Sequence, residues 1–332
     1  NKLNFSSRTV GISKSNLDFF NKKIHKIKKK FIWNINQIEI LSEKLENEKI
    51  LNFEKVKNEL FSLARYDDLY SQLNLELKKN KLFKKKIIKD DNFYDKILKN
   101  SKYQLIINCE NSNKITKTFF TGNINKDYHS YAYTSILKHK KIKNTKAIQI
   151  FTKYGPIAFL PLSNRETSIV FSKIDNSKFL NEKKIKDLIK KYNKFYSILK
   201  FGSINKFKLS MRVSKKYFYK NVMCFGDTIH KIHPLAGQGF NMTLRDIRVL
   251  SEIIQDRIDL GLPLDQSVYQ EFEKKTKHLN LVFSSGINFI YEFFKFENKH
   301  NIKISNNLIK VIGKNKYLNK IITNYADKGL VI

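Results

Sequence analysis

Glycine and proline are scarce, with 11 and 4 in 332 residues. No Gly/Ser-rich or Pro-rich linker divides the chain, and no internal repeat is present. Each glycine therefore marks a place where backbone freedom or close approach matters. There are only two cysteines, Cys109 and Cys224. Each lies in an apolar run, at 105–109 and 222–225, so both read as small buried hydrophobes in a reducing setting, and a disulfide framework is excluded. The apolar-leaning stretch at 282–294 is too short and too interrupted to cross a bilayer, which takes about 20 apolar residues. The chain begins with Asn1, not Met, so a natural start upstream is expected, and no targeting signal is visible in what is present.

Arginine is the scarce cation. Of 64 basic residues only Arg8, Arg65, Arg165, Arg212, Arg245, Arg248 and Arg257 are Arg, and the formal net charge is +34. Base-edge and phosphate-fork recognition favours Arg. The Lys are spread along the whole chain, and Lys, Asn and Ile are abundant together, as an AT-rich genome imposes. Nucleic-acid binding is therefore the least favoured reading, although a Lys-rich surface suits anionic lipid headgroups. The apolar fraction of 41% and the 26 Phe exclude disorder and supply a sizeable core.

Periodicity predicts helices over 14–31, 55–79, 181–199 and 240–258, the last with Leu244, Ile247, Leu250, Ile254 and Ile258 at three- and four-residue steps. Strands are predicted within 35–54 and at 103–109, 129–139, 147–152, 155–162, 167–174, 205–213 and 222–225, with a mostly helical remainder. This order predicts a mixed α/β (α+β) chain: an α/β part that holds a cofactor, and an inserted sheet that covers it.

The chemistry concentrates at 222–246. A buried strand ends at Gly226-Asp227, a loop follows, and Gly237-Gln238-Gly239 opens the long helix. Ligands of α/β sheets bind beyond the carboxyl ends of strands. An Asp there accepts hydrogen bonds from sugar-type hydroxyls. The glycines let backbone approach a flat ring, and the helix start offers free N–H groups with a positive dipole end. The plain alternatives are a turn, a tight loop and packed loop histidines. His230 and His233 make a weak metal signal, since a structural site takes four ligands, and no metal is expected.

The run Gly226-Asp227-Thr228-Ile229-His230-Lys231-Ile232-His233-Pro234-Leu235-Ala236-Gly237-Gln238-Gly239-Phe240-Asn241 resembles the second FAD-binding motif of the para-hydroxybenzoate-hydroxylase-like flavoproteins, closest to their ubiquinone-biosynthesis branch. Tyr154-Gly155-Pro156-Ile157-Ala158-Phe159-Leu160-Pro161-Leu162 resembles that family's strand pair at the floor of the substrate cavity. Arg8 is similar to its arginine near the flavin phosphates. Arg65, with Leu69 and Leu73, resembles its Arg-xxx-Leu-xxx-Leu helix start. Residues 107–112 fall where the family has Ala-Asp-Gly, with Glu110 and Asn111 in place of Asp and Gly. The family's opening Gly-x-Gly-x-x-Gly unit has no counterpart in this chain, which implies that the first roughly 30–50 residues of such a protein are missing.

The resemblance implies a Rossmann-like FAD-binding domain, N-terminally incomplete, in 1–110 and 215–265, a strand-rich substrate domain in 111–214, and a C-terminal helical segment in 266–332. It implies FAD as cofactor, NADPH or NADH as co-substrate, and hydroxylation of an aromatic ring with O2. The substrate implied is a polyprenylated phenol of ubiquinone biosynthesis, a lipid-like quinone precursor. The implied setting is cytoplasmic, with room for peripheral attachment to the inner membrane or membership of a biosynthetic complex. Asp227 would hold the ribityl chain, Gly226 the turn before it, Pro234, Gly237, Gln238 and Gly239 the ring edge, and the helix start near Asn241 the flavin's negative charge. No catalytic side chain identifies itself. The alternatives are a flavoprotein of the same superfamily with another substrate, an inactive remnant, and a basic nucleic-acid or membrane-surface binding protein.

Overall fold

The computed structural model describes residues 8–43, 49–54, 60–88, 90–99, 103–173, 180–234 and 237–300. Their order is mixed helix and strand, as the sequence predicts. They divide into two compact units. One draws on the described residues within 1–76, 128–209 and 290–332, the other on those within 77–127 and 210–289.

The first unit is built on a large sheet. Neighbouring strands run in the order Asn123–His139, Glu166–Lys173, Gly155–Pro161, Lys146–Thr152, Gln37–Ser42 and Lys49–Glu54. All neighbours on this path are antiparallel except Gln37–Ser42 against Lys146–Thr152, which pair parallel. Leu137, Ile148, Ile150, Ile157, Phe159, Ile169 and Phe171 form its buried face, and helix Glu182–Tyr192 covers them with Ile185, Ile189 and Tyr192. The Lys residues of that helix fall on its outer side, which explains how so basic a segment packs at all.

A smaller antiparallel sheet in the same unit places Phe61–Arg65 between Thr9–Ser13 and Ile32–Ile35. This corrects the helix expected over 55–79: residues 61–65 are strand, the helix is Tyr66–Lys79, and 55–59 lie outside the described residues. The three- and four-residue spacing of Leu60, Leu69 and Leu73 joined two elements into one. A central strand pairs on both edges and buries consecutive residues, here Ser62, Leu63 and Ala64, so it shows no strand alternation. The helix expected over 14–31 is also shorter. It runs Lys14–Phe19 and widens through Phe20–Ile24, and His25 turns to extended backbone while Asn21 Oδ1 accepts from Ile27 N at 3.0 Å.

The second unit holds a three-stranded sheet in the order Phe218–Tyr219, Val222–Cys224, Ile106–Asn108. Val222, Met223 and Cys224 are fully buried. Helices Gln238–Asp259 and Gln266–His300 cover them through Leu250, Ile253, Val268, Tyr269 and Phe272. The Tyr269 hydroxyl reaches the sheet backbone: it lies 2.7 Å from Ile106 N and 3.1 Å from Asn221 O. Cys224 is buried as expected, but Cys109 is exposed, because its strand ends one residue earlier and Cys109 opens the following loop.

Replacing Tyr269 by Phe keeps the ring packing and removes only these hydrogen bonds. It is expected to lower unfolding free energy by about 1–2 kcal/mol, read by urea denaturation.

Candidate cofactor site

The site grows from two short strands distant in sequence. Ile106–Asn108 and Val222–Cys224 pair parallel, with Cys224 opposite Asn108, so both release their chains at one edge of the sheet. That edge is where α/β sheets collect ligands. Phe225 N donates to Asn108 O at 3.0 Å and carries the pairing one step further. Thr228, fully buried, places its hydroxyl 3.1 Å from Asn108 O and 2.8 Å from Phe225 O.

Asn108 organises the loop on its own side. Its Nδ2 donates to Thr116 Oγ1 at 2.7 Å, and its Oδ1 accepts from Asn113 Nδ2 at 2.7 Å. Asn113 in turn caps helix Lys114–Phe119 by accepting from Thr116 N. Within the loop, Ser112 donates to the Glu110 carboxylate from both its hydroxyl and its backbone N–H and holds that carboxyl below its usual range. Asn111 Nδ2 donates to Asp227 O at 3.3 Å, so this loop and the Gly226-Asp227 turn meet directly.

At the turn, Gly226 has φ 65, a left-handed conformation that costs a side-chain-bearing residue about 1–2 kcal/mol. Asp227 follows at the surface. Pro234, partly buried, accepts from Gly237 N at 3.2 Å, and Leu235 and Ala236 between them lie outside the described residues. Gly237 (φ 63) is the left-handed N-cap of helix Gln238–Asp259, so the N-cap residue brings no side chain to that end, and no acid stands in its first turn. Asn241, buried, donates from Nδ2 to Gly237 O at 3.4 Å.

Seven expected residues, namely Gly226, Asp227, Pro234, Gly237, Gln238, Gly239 and Asn241, thus fall in one compact unit. Two features fit a bound FAD there. Gly239 is in ordinary helical backbone, and a Cβ on it would meet, among the described residues, only Ile232 Cγ1, at 3.8 Å, so their packing does not require glycine at this position. Gln238 is 5% exposed, and its Oε1 accepts no hydrogen bond from the described residues. An open glycine and a buried acceptor at an uncapped helix start suit a flat, hydrogen-bonding ligand with an anionic state.

Arg8 and Arg65 belong to the other unit. Arg8 is exposed, with its guanidinium 5.0 Å from the Tyr66 ring centre, and Thr9 pairs with Arg65 across the small sheet. Arg65 Nη2 bonds Glu166 Oε2 at 2.7 Å. It lines a cavity of about 290 Å³ with Lys138, Glu166, Lys200 and Phe201.

Sequence reasoning missed the buried polar cluster behind the turn. His230 stands in the short strand His230–Lys231, and its Nε2 lies 2.7 Å from Asp246 Oδ2. Asn280 Nδ2 donates to both Asp246 oxygens, at 3.1 and 3.3 Å. The available signal was an acid in an apolar stripe, since Asp246 is buried in line with Met242, Leu250 and Ile253. His233 is buried as well, and burial pushes its pKa down to about 3. Among the described residues no cluster of His, Cys, Asp and Glu is arranged to hold a metal ion.

The fold resembles that of solved FAD-dependent monooxygenases. The p-nitrophenol 4-monooxygenase of Pseudomonas putida superposes with a TM-score of 0.68 at 13% identity, covering 95% of this chain and 87% of that one. An HpxO variant of Klebsiella pneumoniae complexed with FAD superposes with a TM-score of 0.70 at 8% identity, covering 96% and 90%.

Residues 133–258 match the FAD binding domain family. Among curated proteins, the mitochondrial ubiquinone biosynthesis monooxygenase of Dictyostelium discoideum is 27% identical over 55% of this chain and 43% of its own length. The 3-demethoxyubiquinol 3-hydroxylase of Escherichia coli is 26% identical over 72% of this chain and 58% of its own length. The chain thus spans about half the length of these relatives. The run Gly226 to Asn241, on which the resemblance is drawn, lies inside the stretch that matches this FAD binding domain family.

Two outcomes test the site without ligand. Gly226→Ala is expected to cost about 1–2 kcal/mol, whereas Gly239→Ala leaves stability unchanged or raises it by up to about 1 kcal/mol, both read by denaturant melts. For His233, the folded pKa lies below the unfolded value of 6.5, so the unfolded chain binds the extra proton between about 6.5 and about 3. Its contribution is present above pH 6.5 and is lost as pH falls through that window. Wild type should therefore lose stability relative to His233→Leu by up to about 1.4 kcal/mol per pH unit, measured from pH 6.5 down to 4.

Proposed function

We propose that this chain serves an FAD-dependent monooxygenase that hydroxylates the aromatic ring of a ubiquinone precursor, using NADPH or NADH and O2. The carrying observation is the Gly226-Asp227 turn at the end of a parallel strand pair, in one unit with the uncapped Gly237-Gln238-Gly239 helix start. Asp227 would accept hydrogen bonds from the ribityl hydroxyls, Gly239 would admit the ring edge, and the helix start would stabilise negative charge on the reduced ring. FAD, when bound, supplies hydride acceptance from the nicotinamide and activation of O2. The protein's part is to bind and orient the ring system and to exclude water. The roles of Arg8 and Arg65 at the cofactor's phosphates, and the division into cofactor parts (1–110 and 215–265), substrate part (111–214) and C-terminal segment (266–332), rest on the resemblance.

The names of the two curated relatives support a polyprenylated phenol as substrate. No helix among the described residues is long and apolar enough to cross a membrane. A Lys-rich surface supports peripheral attachment, through anionic lipid or a biosynthetic complex, as the way a lipid-like substrate is reached.

Titration of FAD with the chain, followed by flavin fluorescence, should show saturable binding, and Asp227→Ala should weaken it at least about tenfold, or 1.4 kcal/mol. NAD(P)H oxidation stimulated by a prenylated phenol supports the proposal, and stimulation only by soluble aromatics moves the reading to another flavoprotein of the superfamily. A colourless full-length protein would favour the remnant. Steeply salt-dependent DNA binding would point to the basic binding protein.

A further inference from the structure

The His230–Asp246 pair sits where charge is costly. The side chains are 0% and 3% exposed. Asp246 is tolerated there because it is fully engaged, by His230 Nε2 at 2.7 Å and by Asn280 Nδ2 at 3.1 and 3.3 Å. Asn280 Nδ2 also lies 3.4 Å from the hydroxyl of Tyr217, which is itself fully buried. An apolar cluster of similar volume would hold these elements together at least as firmly, so stability does not account for the choice. A hydrogen-bonded carboxylate adds directional specificity: the contact forms at one helix rotation and one register only.

Both ends of the contact are anchored. His230 is held in the strand pairing with Val213, and Ser214 N donates to Ile229 O at 2.7 Å. Asp246 lies about 12 Å along the helix from Gln238, at 1.5 Å per residue. The bond therefore closes a loop that begins just after Asp227 and contains Pro234, Gly237, Gln238, Gly239 and Asn241. Rotation of the helix by one residue would carry Asp246 away from the imidazole and turn Gln238 and Gly239 with it.

We propose that His230 and Asp246 are positioning residues for the cofactor: their contact sets the rotation of helix Gln238–Asp259, and hence the spacing between the Asp227 turn and the helix start. The inference rests on the FAD reading above. Asn280 supports it by holding the carboxylate from the other helix.

The test uses the full chain, with FAD affinity measured for wild type, His230→Ala, Asp246→Asn and His230→Gln. Backbone hydrogen exchange of the ligand-free proteins is followed over 226–234 and 237–241. His230→Ala and Asp246→Asn should weaken FAD binding at least about tenfold and speed exchange in those segments, with exchange in strand Lys146–Thr152 unchanged. His230→Gln, whose amide can still donate to Asp246, should recover affinity to within about threefold of wild type. Folded His230→Ala with wild-type affinity and wild-type exchange overturns the proposal. If His230→Ala does not fold, Asp246→Asn is judged by the same two readings. If wild type binds no FAD, the cofactor reading fails separately, and exchange still decides: faster exchange in the variants upholds the tether and unchanged exchange refutes it.

Discussion

The parallel pairing of Ile106–Asn108 with Val222–Cys224 is the constraint on which the candidate site depends. Two stretches far apart in sequence must meet side by side before Asn111 can reach Asp227 or Thr228 can reach the Asn108 carbonyl. Such a pairing takes its stability from burial and not from local propensity. That burial comes from Leu250, Ile253, Val268 and Phe272, with Tyr269 also holding the strand backbone. The residues that would touch a cofactor are therefore placed by a buried, largely apolar cluster.

The glycines of the site divide by the reason for their presence. Gly226 and Gly237 have φ 65 and 63, and the backbone itself calls for them. Gly239 has no such need, and no crowding neighbour among the described residues explains it. A glycine that folding does not require is the more informative kind. The same logic applies to charge. The excess Lys lie mostly on outer faces and carry little information about the site, whereas a single carboxylate in a helix's buried stripe marks the polar cluster that holds the loop.

Strong local patterns were legible. The helix opening at Gln238, the strands from 146 to 173 and the Gly226-Asp227 turn follow from amphipathic period, alternation and glycine placement. Errors arose where tertiary burial overrides period. Residues 61–65 form a doubly paired central strand without alternation, where the helical spacing of Leu60, Leu69 and Leu73 misleads. Cys109 sits in an apolar run yet is exposed, because the strand stops at Asn108.

By itself the sequence determined the mixed α/β class and the segment that carries the chemistry, because turn glycines, a strand-end acid and a helix start are local features with local causes. Only the tertiary structure decided that Asn108 and Thr228 join two distant strands, that His230 answers Asp246, and that Arg65 engages Glu166. Those are contacts across long loops. Their formation depends on which surfaces are buried together, and that is a property of the packed chain, not of any one segment of it.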